Sequence, residues 1–420
     1  MALQLLVALG AIFGIMVLVV GAVRLAQVPF ALVHAARFRP LPKDAAQQAG
    51  SIFEAPPTIS VIIPAYNEAV VLENCLRSIA RSNYPHFEVI CVDDGSTDDT
   101  FALAGRLAAE LPCLTAVTQQ NAGKGAALNR GISQAGGEVL VLVDADGVFG
   151  SDTLTEMVRG FTDPRIGAVC GDDRPVNLDR VQTRFLALIS HVGTGLLRRA
   201  LHVLGMLPVV SGNTGAFRRD VLEQTGPLRT DTLGEDLELT WRIYRAGYVV
   251  AFRPTALVYA ESPSTVRGLW KQRVRWARGL LQVTGLHRDM IGNPRYGPFG
   301  VYLAINLLSQ VVVPVVQVLA LVALATLMAL GRPDVVPTSL WDWVLFVGLP
   351  ISVALLLLAL GLDRAWRDLR FAWTIPLWPL YSTLMSLVML RAIWLELRGA
   401  DQHWNKLERT GTVSIPDDPT

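Results

Sequence analysis

The segment Glu138–Asp146, EVLVLVDAD, decides the fold of this chain. Its residues 139–143 are all apolar, three of them are valine, and they run without a break into Asp144 and Asp146. A short continuous apolar run that follows two glycines predicts a β-strand buried on both faces. Alternate residues of an extended segment point the same way, so we expect the two aspartate side chains to project together.

Two adjacent carboxylates repel each other unless a cation or hydrogen-bond donors lie between them. A Mg²⁺ ion suits this position, because it is commonly held by one or two carboxylates together with substrate phosphates. Asp144 and Asp146 therefore indicate a metal-assisted phosphate site. The alternative interpretation is a surface turn of solvated aspartates.

The segments before this one repeat the same pattern of apolar strand and helix. The predicted strands and helices alternate along the chain as Thr58–Pro64, Ala69–Ala80, Phe87–Val92, Asp98–Glu110, Leu114–Thr118, Lys124–Gln134 and Val139–Val143. Such alternation predicts an α/β fold with a doubly wound, mostly parallel sheet. In these sheets ligands bind beyond the carboxyl ends of the strands. The predicted strand ends carry Tyr66, Glu68, Asp93, Asp94, Asp144 and Asp146, and this convergence makes the surface-turn interpretation less favoured.

A small-residue segment, Asn121–Ala127, begins the third predicted helix. It lacks the spaced first glycine and the Ser or Thr of a nucleotide-triphosphatase loop, and no Gly-x-Gly-x-x-Gly follows a predicted strand. A dinucleotide-dependent oxidoreductase is therefore disfavoured. Lys124 at the helix start is a predicted diphosphate contact, and the alternative is a plain helix N-terminus.

The second half of the soluble region contains further predicted elements. Carboxylates at Glu235 and Asp236 begin a predicted helix, where they could also act only as partners of the helix dipole. The segment Arg180–Leu207 is either an amphipathic helix at the membrane face or a core-facing helix. The other predictions are strands at Val249–Arg253 and Ala256–Tyr259 and a basic helix at Ser264–Arg288.

The composition is too apolar for an ordinary soluble enzyme, with 51% hydrophobic residues in 420 and a mean hydropathy of +0.39. The excess lies in four segments without charged residues, each long enough for a membrane span of roughly 20 residues: Ala2–Val23, Tyr296–Gly331, Trp343–Leu362 and Phe371–Leu390. The first lacks a basic residue before its apolar run, so an anchoring helix is favoured over a signal peptide. Pro376 and Pro379 favour a broken or re-entrant last segment.

Basic residues beside these segments predict the orientation. They follow the first span and lie between the last two, at Arg24, Arg37, Arg39, Lys43, Arg364, Arg367 and Arg370. The positive-inside rule then places residues 24–295 in the cytoplasm of a multi-pass plasma-membrane protein. Four cysteines without metal-ligand spacing are expected to be free thiols in a reducing compartment. The net charge of +1 is uninformative about partners, and no basic, aromatic-interleaved patch indicates a nucleic-acid partner.

Taken together, these residues resemble a processive, membrane-bound family-2 glycosyltransferase, related to the cellulose, chitin, hyaluronan and poly-N-acetylglucosamine synthases. The resemblance covers roughly residues 58–280 and rests on four motifs in the same order as in that group. Asp93–Asp94 resembles its first aspartate motif, Asp144–Asp146 its Asp-x-Asp motif, and Glu235–Asp236 its third acidic motif. Gln272, Arg275 and Trp276 fit Gln-x-x-Arg-Trp. The resemblance implies a GT-A-like, Rossmann-like cytoplasmic domain flanked by transmembrane helices.

The resemblance also implies roles for individual residues. Nucleotide-sugar binding would fall to Ala65, Tyr66, Glu68, Asp93, Asp94, Lys124 and Asp144. Asp146 would ligate Mg²⁺ or Mn²⁺. Asp236 would be the general base with Glu235 in support. The residues Gln272, Arg275 and Trp276 would bind the acceptor or the diphosphate, and the alternative for Trp276 is packing or a place at the membrane interface.

The implied reaction is an inverting, metal-dependent transfer of a sugar from a UDP-sugar, such as UDP-N-acetylglucosamine, to a growing β-linked polysaccharide or oligosaccharide, coupled to export. The alternative is a transferase that adds one sugar to a polyprenyl or glycolipid acceptor. A transporter and a catalytically silent membrane scaffold are less favoured. The expected partners are the donor, a saccharide or lipid-linked acceptor, membrane lipids, and an accessory subunit or a second copy of the chain.

The corresponding domain division has five parts. It comprises an N-terminal transmembrane helix with its juxtamembrane segment (1–36), the cytoplasmic transferase domain (58–260), an interfacial helix with the Gln-x-x-Arg-Trp motif (261–295), a C-terminal transmembrane region of about three helices (296–396) and a tail (397–420).

Overall fold

An eight-stranded sheet with the strand order β3-β2-β1-β4-β7-β6-β8-β5 forms the centre of the chain. The computed structural model describes residues 2–38, 52–332, 349–401 and 409–411. The strands are β1 (Ile59–Ala65), β2 (Phe87–Asp93), β3 (Leu114–Thr118), β4 (Val139–Leu142), β5 (Val148–Phe149), β6 (Ile166–Pro175), β7 (Gly215–Arg218) and β8 (Val249–Ala260).

The helices of the soluble region pack on both faces of this sheet. They are α2 (Leu72–Ala80), α3 (Thr100–Glu110), α4 (Lys124–Gln134), α5 (Thr153–Val158), α6 (Val181–Ser190), α7 (Leu197–Val203), α8 (Arg219–Thr225), α9 (Glu235–Arg245) and α10 (Val266–Leu286). The apolar helices are α1 (Ala2–Arg37), α11 (Gly297–Leu307), α12 (Val313–Ala329), α13 (Leu349–Leu362) and α14 (Trp378–Leu397).

The central strand β4 contributes to two separate hydrophobic cores. Val139 and Val141 belong to the core that includes α2 and α3. Leu140 and Leu142 belong to the core on the opposite face, with Phe217 of β7. Full burial of one such side chain stabilises a fold by about 1.5–3 kcal/mol. The uninterrupted apolar run is therefore explained by burial on both faces, and the predicted doubly wound, mostly parallel sheet is confirmed.

The strands β3, β2, β1 and β4 are parallel, and their carboxyl ends lie at one edge of the sheet. Ala65 is opposite Asp93, and Asp93 is opposite Thr118. Strand β7 runs antiparallel to β4 and to β6, and β6 runs parallel to β8. The sheet register thus brings the loops after β1, β2 and β4 together.

Within the described residues, three helical stretches are long and apolar enough to cross a bilayer: Leu6–Arg37, Pro294–Ala329 and Trp366–Leu397. The predicted span Trp343–Leu362 lies partly outside the described residues, and its described part is the 14-residue α13. A 3₁₀ helix, Trp366–Leu377, contains Pro376 and leads into α14, which has Pro379 in its first turn. The predicted break in the last apolar segment therefore appears as a change of helix type.

The soluble region and the apolar helices are packed together. A π-helical turn, His191–Leu196, joins α6 to α7, and α7 packs against α1. His34 near the end of α1 is buried, and its Nε2 lies 3.0 Å from Nδ1 of His202 and 3.2 Å from the carbonyl oxygen of Phe252. Helix α14 packs against α10 and α12. The soluble region is therefore packed against both the N-terminal and the C-terminal apolar helices.

Candidate active site

Lys124 is the first residue of α4, and its ammonium group joins two of the predicted acidic motifs. Its Nζ lies 2.6 Å from Oδ1 of Asp144 and 3.2 Å from Oε1 of Glu235. Gly123, which precedes it, has a φ of 89°, a backbone conformation that glycine adopts without strain. The Gly123 N–H donates to Oδ2 of Asp94 at 2.8 Å, so the aspartate directly after β2 fixes the start of α4.

The charge of Lys124 is balanced by the surrounding carboxylates. Burial lowers the pKa of the Lys124 ammonium, but Asp144, Glu235 and Asp236 outweigh this effect and raise the pKa above its ordinary value. Lys124 is therefore a permanent cation between the strand β4 and the helix α9. A cation at this place can compensate negative charge on a leaving diphosphate.

Asp236 lies in the first turn of α9 and is held by backbone donors. Its Oδ2 accepts a hydrogen bond from the N–H of Gly212 at 3.1 Å, and its Oδ1 accepts one from the N–H of Leu237 at 2.7 Å. Burial and the neighbouring Glu235 raise the pKa of Asp236, whereas Lys124 lowers it. A carboxylate with a raised pKa that is held in one orientation has the properties of a general base.

The absence of a side chain at residue 212 is necessary for this geometry. A Cβ atom there would lie 3.0 Å from Nζ of Lys124 and 3.4 Å from Oδ2 of Asp236. Lys124, Gly212, Glu235 and Asp236 line one small cleft with apolar walls that include Leu142 and Leu239. The structure thus brings together four of the residues predicted for the site, here named the Lys124 cluster: Lys124, Asp144, Glu235 and Asp236.

Asp146 lies in a second group of contacts. Its Oδ2 accepts a hydrogen bond from the N–H of Glu261 at 3.1 Å and pairs with Nη1 of Arg409 at 2.7 Å. Its side chain is only 4% exposed, which excludes the solvated-turn interpretation for this residue. Burial raises the pKa of Asp146, Arg409 opposes this effect, and Asp144 adds to it.

Asp144 and Asp146 do not lie on an extended segment. The expectation that their side chains project together was therefore wrong. Strand β4 ends at Leu142, and the N–H of Gly147 closes a turn on the carbonyl oxygen of Asp144 at 2.9 Å. The amide of Asp144 in turn lies 3.3 Å from Oδ1 of Asn213. Because of the turn, Asp144 pairs with Lys124 whereas Asp146 pairs with Arg409.

The aspartates after β2 hold backbone groups of neighbouring loops. Asp93 accepts from the hydroxyl of Thr118 at 2.9 Å, and Asp94 accepts from the side-chain amide of Gln119 at 2.8 Å and the N–H of Ala122 at 2.9 Å. Both aspartates are buried. They therefore shape the loop that leads to α4.

The loop after β1 forms the rim of the same edge. Ala65 is buried at the end of β1, whereas Tyr66 is 40% exposed. Asn67 adopts a positive φ of 55°, and its Oδ1 accepts from the N–H of Thr97 at 2.7 Å, so the loops after β1 and β2 are bonded together. Nε of Arg409 lies 3.9 Å from Oε2 of Glu68.

The predicted Gln-x-x-Arg-Trp residues Gln272, Arg275 and Trp276 lie on α10. Trp276 is 48% exposed, and the guanidinium of Arg273 lies 4.2 Å from the centre of its ring. Among the described residues, no hydrogen bond joins Gln272 or Trp276 to Asp144, Glu235 or Asp236, so these residues are not part of the Lys124 cluster.

Helix α10 instead supports the loop that precedes α9. A Cβ atom at Gly279 would lie 3.0 Å from the backbone N of Gly234, which shows how closely the helix and the loop approach. Gln282 accepts a hydrogen bond from the N–H of Leu233 at 2.9 Å and donates one to Glu396 of α14 at 3.1 Å. The start of α9, with Glu235 and Asp236, is therefore connected to an apolar helix through α10.

Three residues of the site were missed by sequence reasoning: Asn213, Glu261 and Arg409. Asn213 lies in the Gly-rich turn before β7, whose glycines and polar residues were a usable signal. Glu261 follows the last strand and contributes its backbone N–H, which no side-chain pattern reveals. Arg409 comes from the tail, where nothing in the sequence pattern indicates a site.

The residues around Asp146 fit a divalent ion that also carries phosphate oxygens. The contact with the Arg409 guanidinium shows that this carboxylate accepts a cation at Oδ2. No group of three or more His, Cys, Asp or Glu that could hold an ion by itself occurs in the parts of the chain that the structure describes. An ion here therefore fits the pattern in which one or two carboxylates and substrate oxygens share the coordination.

The chain is similar to several known glycosyltransferases. It is 32% identical over 251 residues to the poly-β-1,6-N-acetyl-D-glucosamine synthase of Staphylococcus aureus, which covers 58% of this chain and 59% of that protein. It is 34% identical over 226 residues to the synthase of Staphylococcus epidermidis, covering 53% and 54%. The chain thus spans somewhat less than three-fifths of the length of these curated relatives.

A solved structure matches almost the whole chain. The mannosyltransferase from Pyrobaculum calidifontis, solved with GDP-mannose and Mn²⁺, has 26% sequence identity and a TM-score of 0.63, and the match covers 93% of this chain and 100% of that chain. The sequence model described as glycosyltransferase like family 2 matches residues 56–279, which include the sheet, the Lys124 cluster and Gln272, Arg275 and Trp276. On this evidence the chain belongs to the family-2 glycosyltransferases and is a glycosyltransferase with a GT-A-like fold.

Proposed function

We propose that this enzyme is an inverting, metal-dependent transferase that adds a sugar from a UDP-sugar, most simply UDP-N-acetylglucosamine, to a growing β-linked polysaccharide or oligosaccharide. The observation that carries the proposal is the position of Lys124 between Asp144 and Glu235, beside an Asp236 held by the N–H of Gly212. The similarity to two poly-N-acetylglucosamine synthases supports the donor and the product.

In the proposed reaction Asp236 accepts the proton of an acceptor hydroxyl. The hydroxyl oxygen then forms a bond to the anomeric carbon from the face opposite the diphosphate. The bond between that carbon and the diphosphate oxygen breaks, and its electron pair leaves with the UDP. A single displacement inverts the centre, so an α-linked donor gives a β-linked product. Lys124, with Glu235 as its second partner, compensates charge on the leaving group.

The proposed metal ligand is Asp146. A Mg²⁺ or Mn²⁺ ion bound there with the donor acts as a Lewis acid that stabilises negative charge on the diphosphate. The Mn²⁺ in the similar mannosyltransferase supports a divalent ion. Asp144 is proposed to contact the donor near its ribose and diphosphate.

The donor nucleoside is proposed to bind at the rim formed by the loops after β1 and β2. Tyr66 offers an exposed ring there, and Ala65, Glu68, Asp93 and Asp94 shape the surrounding backbone. The exposed ring of Trp276 is proposed as a platform for the acceptor sugar, with Gln272 and Arg275 on the same helix as polar contacts to the acceptor or the diphosphate.

The membrane arrangement follows from the same proposal. Residues 1–36, 58–260, 261–295, 296–396 and 397–420 are proposed as the anchoring helix, the cytoplasmic transferase domain, the interfacial helix, the C-terminal transmembrane region and the tail of a plasma-membrane protein. The three candidate spans are few for an enclosed channel. Processive synthesis with export would therefore require an accessory subunit or a second copy of the chain, in contact with membrane lipids.

A second candidate function is transfer of one sugar to a polyprenyl or glycolipid acceptor. It is favoured by the number of candidate spans in the described residues, where three are few for an enclosed channel.

The two candidates are distinguished by a donor panel with purified membranes. Membranes that contain the enzyme are incubated with radiolabelled UDP-N-acetylglucosamine, UDP-glucose or GDP-mannose, with Mn²⁺, with Mg²⁺ or with EDTA. The products are separated into a lipid-soluble fraction and a high-molecular-weight polysaccharide fraction. Membranes with the Asp236→Asn enzyme serve as the control for background transfer.

The proposal expects label from UDP-N-acetylglucosamine in the polysaccharide fraction, loss of this label with EDTA, and a rate at least about 100-fold lower for Asp236→Asn. A single lipid-soluble product would reject the polymerase in favour of the second candidate. Full activity in EDTA would reject the metal assignment, and an unchanged rate for Asp236→Asn would reject the assigned base.

A further inference from the structure

The described tail residues Arg409–Gly411 lie in the acidic cleft of the transferase domain. Nη1 of Arg409 lies 2.7 Å from Oδ2 of Asp146 and 3.3 Å from the carbonyl oxygen of Glu261. The Arg409 side chain is 17% exposed. A residue of the tail therefore occupies the cationic position beside the proposed metal ligand.

The charge around Arg409 comes from four carboxylates on three loops. Asp146 and Glu68 form ion pairs with it, and Asp144 and Glu261 also attract its charge. Such an acidic surrounding holds a cation, and the guanidinium supplies one from within the chain. A divalent ion bound with a sugar diphosphate would carry twice the positive charge of the guanidinium and would be attracted more strongly to these carboxylates.

The neighbouring tail residues are also held in place. The N–H of Thr410 lies 3.0 Å from Oε2 of Glu261, and its hydroxyl lies 3.0 Å from Oε1. Gly411 has a φ of 67°, and a Cβ atom there would lie 2.9 Å from Cγ1 of Val70. Contacts from three consecutive residues indicate a specific docked position and not a single chance ion pair.

We propose that Arg409 and the divalent ion of the donor complex are alternative cations on Asp146, so that the docked tail is an autoinhibitory contact that the metal–donor complex must displace. The inference rests on the metal assignment in the proposed function. A Mg²⁺ ion coordinates a carboxylate oxygen at about 2.0–2.1 Å. A guanidinium in contact with the same oxygen would overlap with that ion and repel it, so the two cannot bind Asp146 together.

A consequence is that the apparent metal affinity is reduced by the fraction of molecules in which the tail is docked. Removal of the guanidinium is therefore expected to strengthen metal binding. The first experiment measures Mn²⁺ binding to the full chain in nanodiscs by electron paramagnetic resonance, with and without UDP. We expect Arg409→Ala to bind Mn²⁺ about tenfold more tightly than the wild type, within the usual range of such coupling. Arg295→Ala, which removes an exposed arginine elsewhere, is the matched control.

The second experiment measures the docked position directly by limited trypsin digestion. Trypsin must take the Arg409 side chain into its own pocket to cleave after it, which the ion pair with Asp146 prevents. We expect Mn²⁺ with UDP to accelerate release of the peptide that begins at Thr410 at least fivefold, by mass spectrometry. We expect Asp146→Asn to give the fast rate without Mn²⁺ and no further change with it. Cleavage after Arg295 is the internal reference.

The outcomes separate this inference from the proposed function. Equal Mn²⁺ affinity in wild type, Arg409→Ala and Arg295→Ala would overturn the competition and leave the metal assignment intact. Cleavage after Arg409 that neither Mn²⁺ with UDP nor Asp146→Asn accelerates would overturn the docking. Failure of every variant to bind Mn²⁺ would overturn both the inference and the metal assignment.

Discussion

The N–H of Gly212 donates a 3.1 Å hydrogen bond to Oδ2 of Asp236, and no other residue type leaves the same space at position 212. The donor comes from the turn before β7, whereas the acceptor begins α9. The proposed base is thus oriented by a backbone group of a different loop. Its second oxygen accepts a hydrogen bond from its own helix start, at the N–H of Leu237.

Gly212→Ala tests the importance of this contact. The added Cβ would lie 3.0 Å from Nζ of Lys124, so this ammonium must shift by a few tenths of an ångström, and it would reach van der Waals contact with Oδ2 of Asp236 at 3.4 Å. We expect kcat to fall about 10- to 100-fold, because displaced catalytic groups lose the reactive orientation. Radiolabel transfer measures the rate. Gly105→Ala, with no atom within 4 Å of the new Cβ, is the control, and an equal loss in both variants would contradict the prediction.

Lys124→Met tests the cation of the cluster while it keeps the side-chain volume. The substitution leaves Asp144, Glu235 and Asp236 without the ammonium that faces them. We expect the free energy of unfolding to fall by about 3 kcal/mol, the lower end for a broken buried ion pair, because Asp144 is one-third exposed. Thermal unfolding in detergent and UDP binding are measured beside Lys271→Ala, an exposed lysine. A melting temperature equal to that of Lys271→Ala would show that the cluster contributes no stability.

Helix α10 offers a matched pair of glycines for testing its support of α9. A Cβ at Gly279 would lie 3.0 Å from the backbone N of Gly234, whereas a Cβ at Gly285 would have no atom within 4 Å. We therefore expect Gly279→Ala to lower the transfer rate at least about tenfold and Gly285→Ala to leave it within twofold. The rates are measured at saturating donor. Equal rates for the two variants would mean that the close approach of α10 does not position Asp236.

The pH dependence of transfer tests the assignment of the base. Burial and Glu235 raise the pKa of Asp236, so the active carboxylate is lost as the pH falls through this raised value. The rate is therefore expected to rise with pH on its acidic limb. Glu235→Gln removes the neighbouring negative charge, lowers the pKa of Asp236 and moves this limb to lower pH by about one unit.

The pH–rate profile of Glu235→Gln is compared with that of Glu223→Gln, an exposed carboxylate on α8. We expect no displacement of the acidic limb in this control. A limb that stays in place in Glu235→Gln, or moves to higher pH, would show that Asp236 does not control it. Lys124 stays charged throughout this range, because its pKa is raised by its carboxylate partners.

The parallel half of the sheet was predictable because its strands are buried on both faces. Such strands are continuous apolar runs, and β3 and α4 were predicted at their observed bounds. Strand β6 was missed, because its second half carries Asp172, Asp173 and Arg174. Asp173 pairs with Arg198 and Arg174 pairs with Asp363, and such distant partners leave no local pattern.

The other differences have similar causes. Two strands were predicted around Pro254, but β8 runs through it, because a register shift between Cys170 and Asp172 of β6 removes the need for a donor there. The acidic residues of the Lys124 cluster were predictable from their positions at strand and helix ends. The contact of Arg409 with Asp146 was not, since it joins the tail to the middle of the chain.

The two hydrogen bonds of the Gln282 side chain, one with Leu233 and one with Glu396, have a practical consequence. A fragment that stops at residue 260 would retain every acidic motif. It would lose the contacts of α10 and α14 that support the loop before α9. Its inactivity would say nothing about the chemistry of those motifs. Biochemical dissection of this enzyme should therefore keep α10 and α14 together with the nucleotide-binding sheet, as one unit extracted from the bilayer.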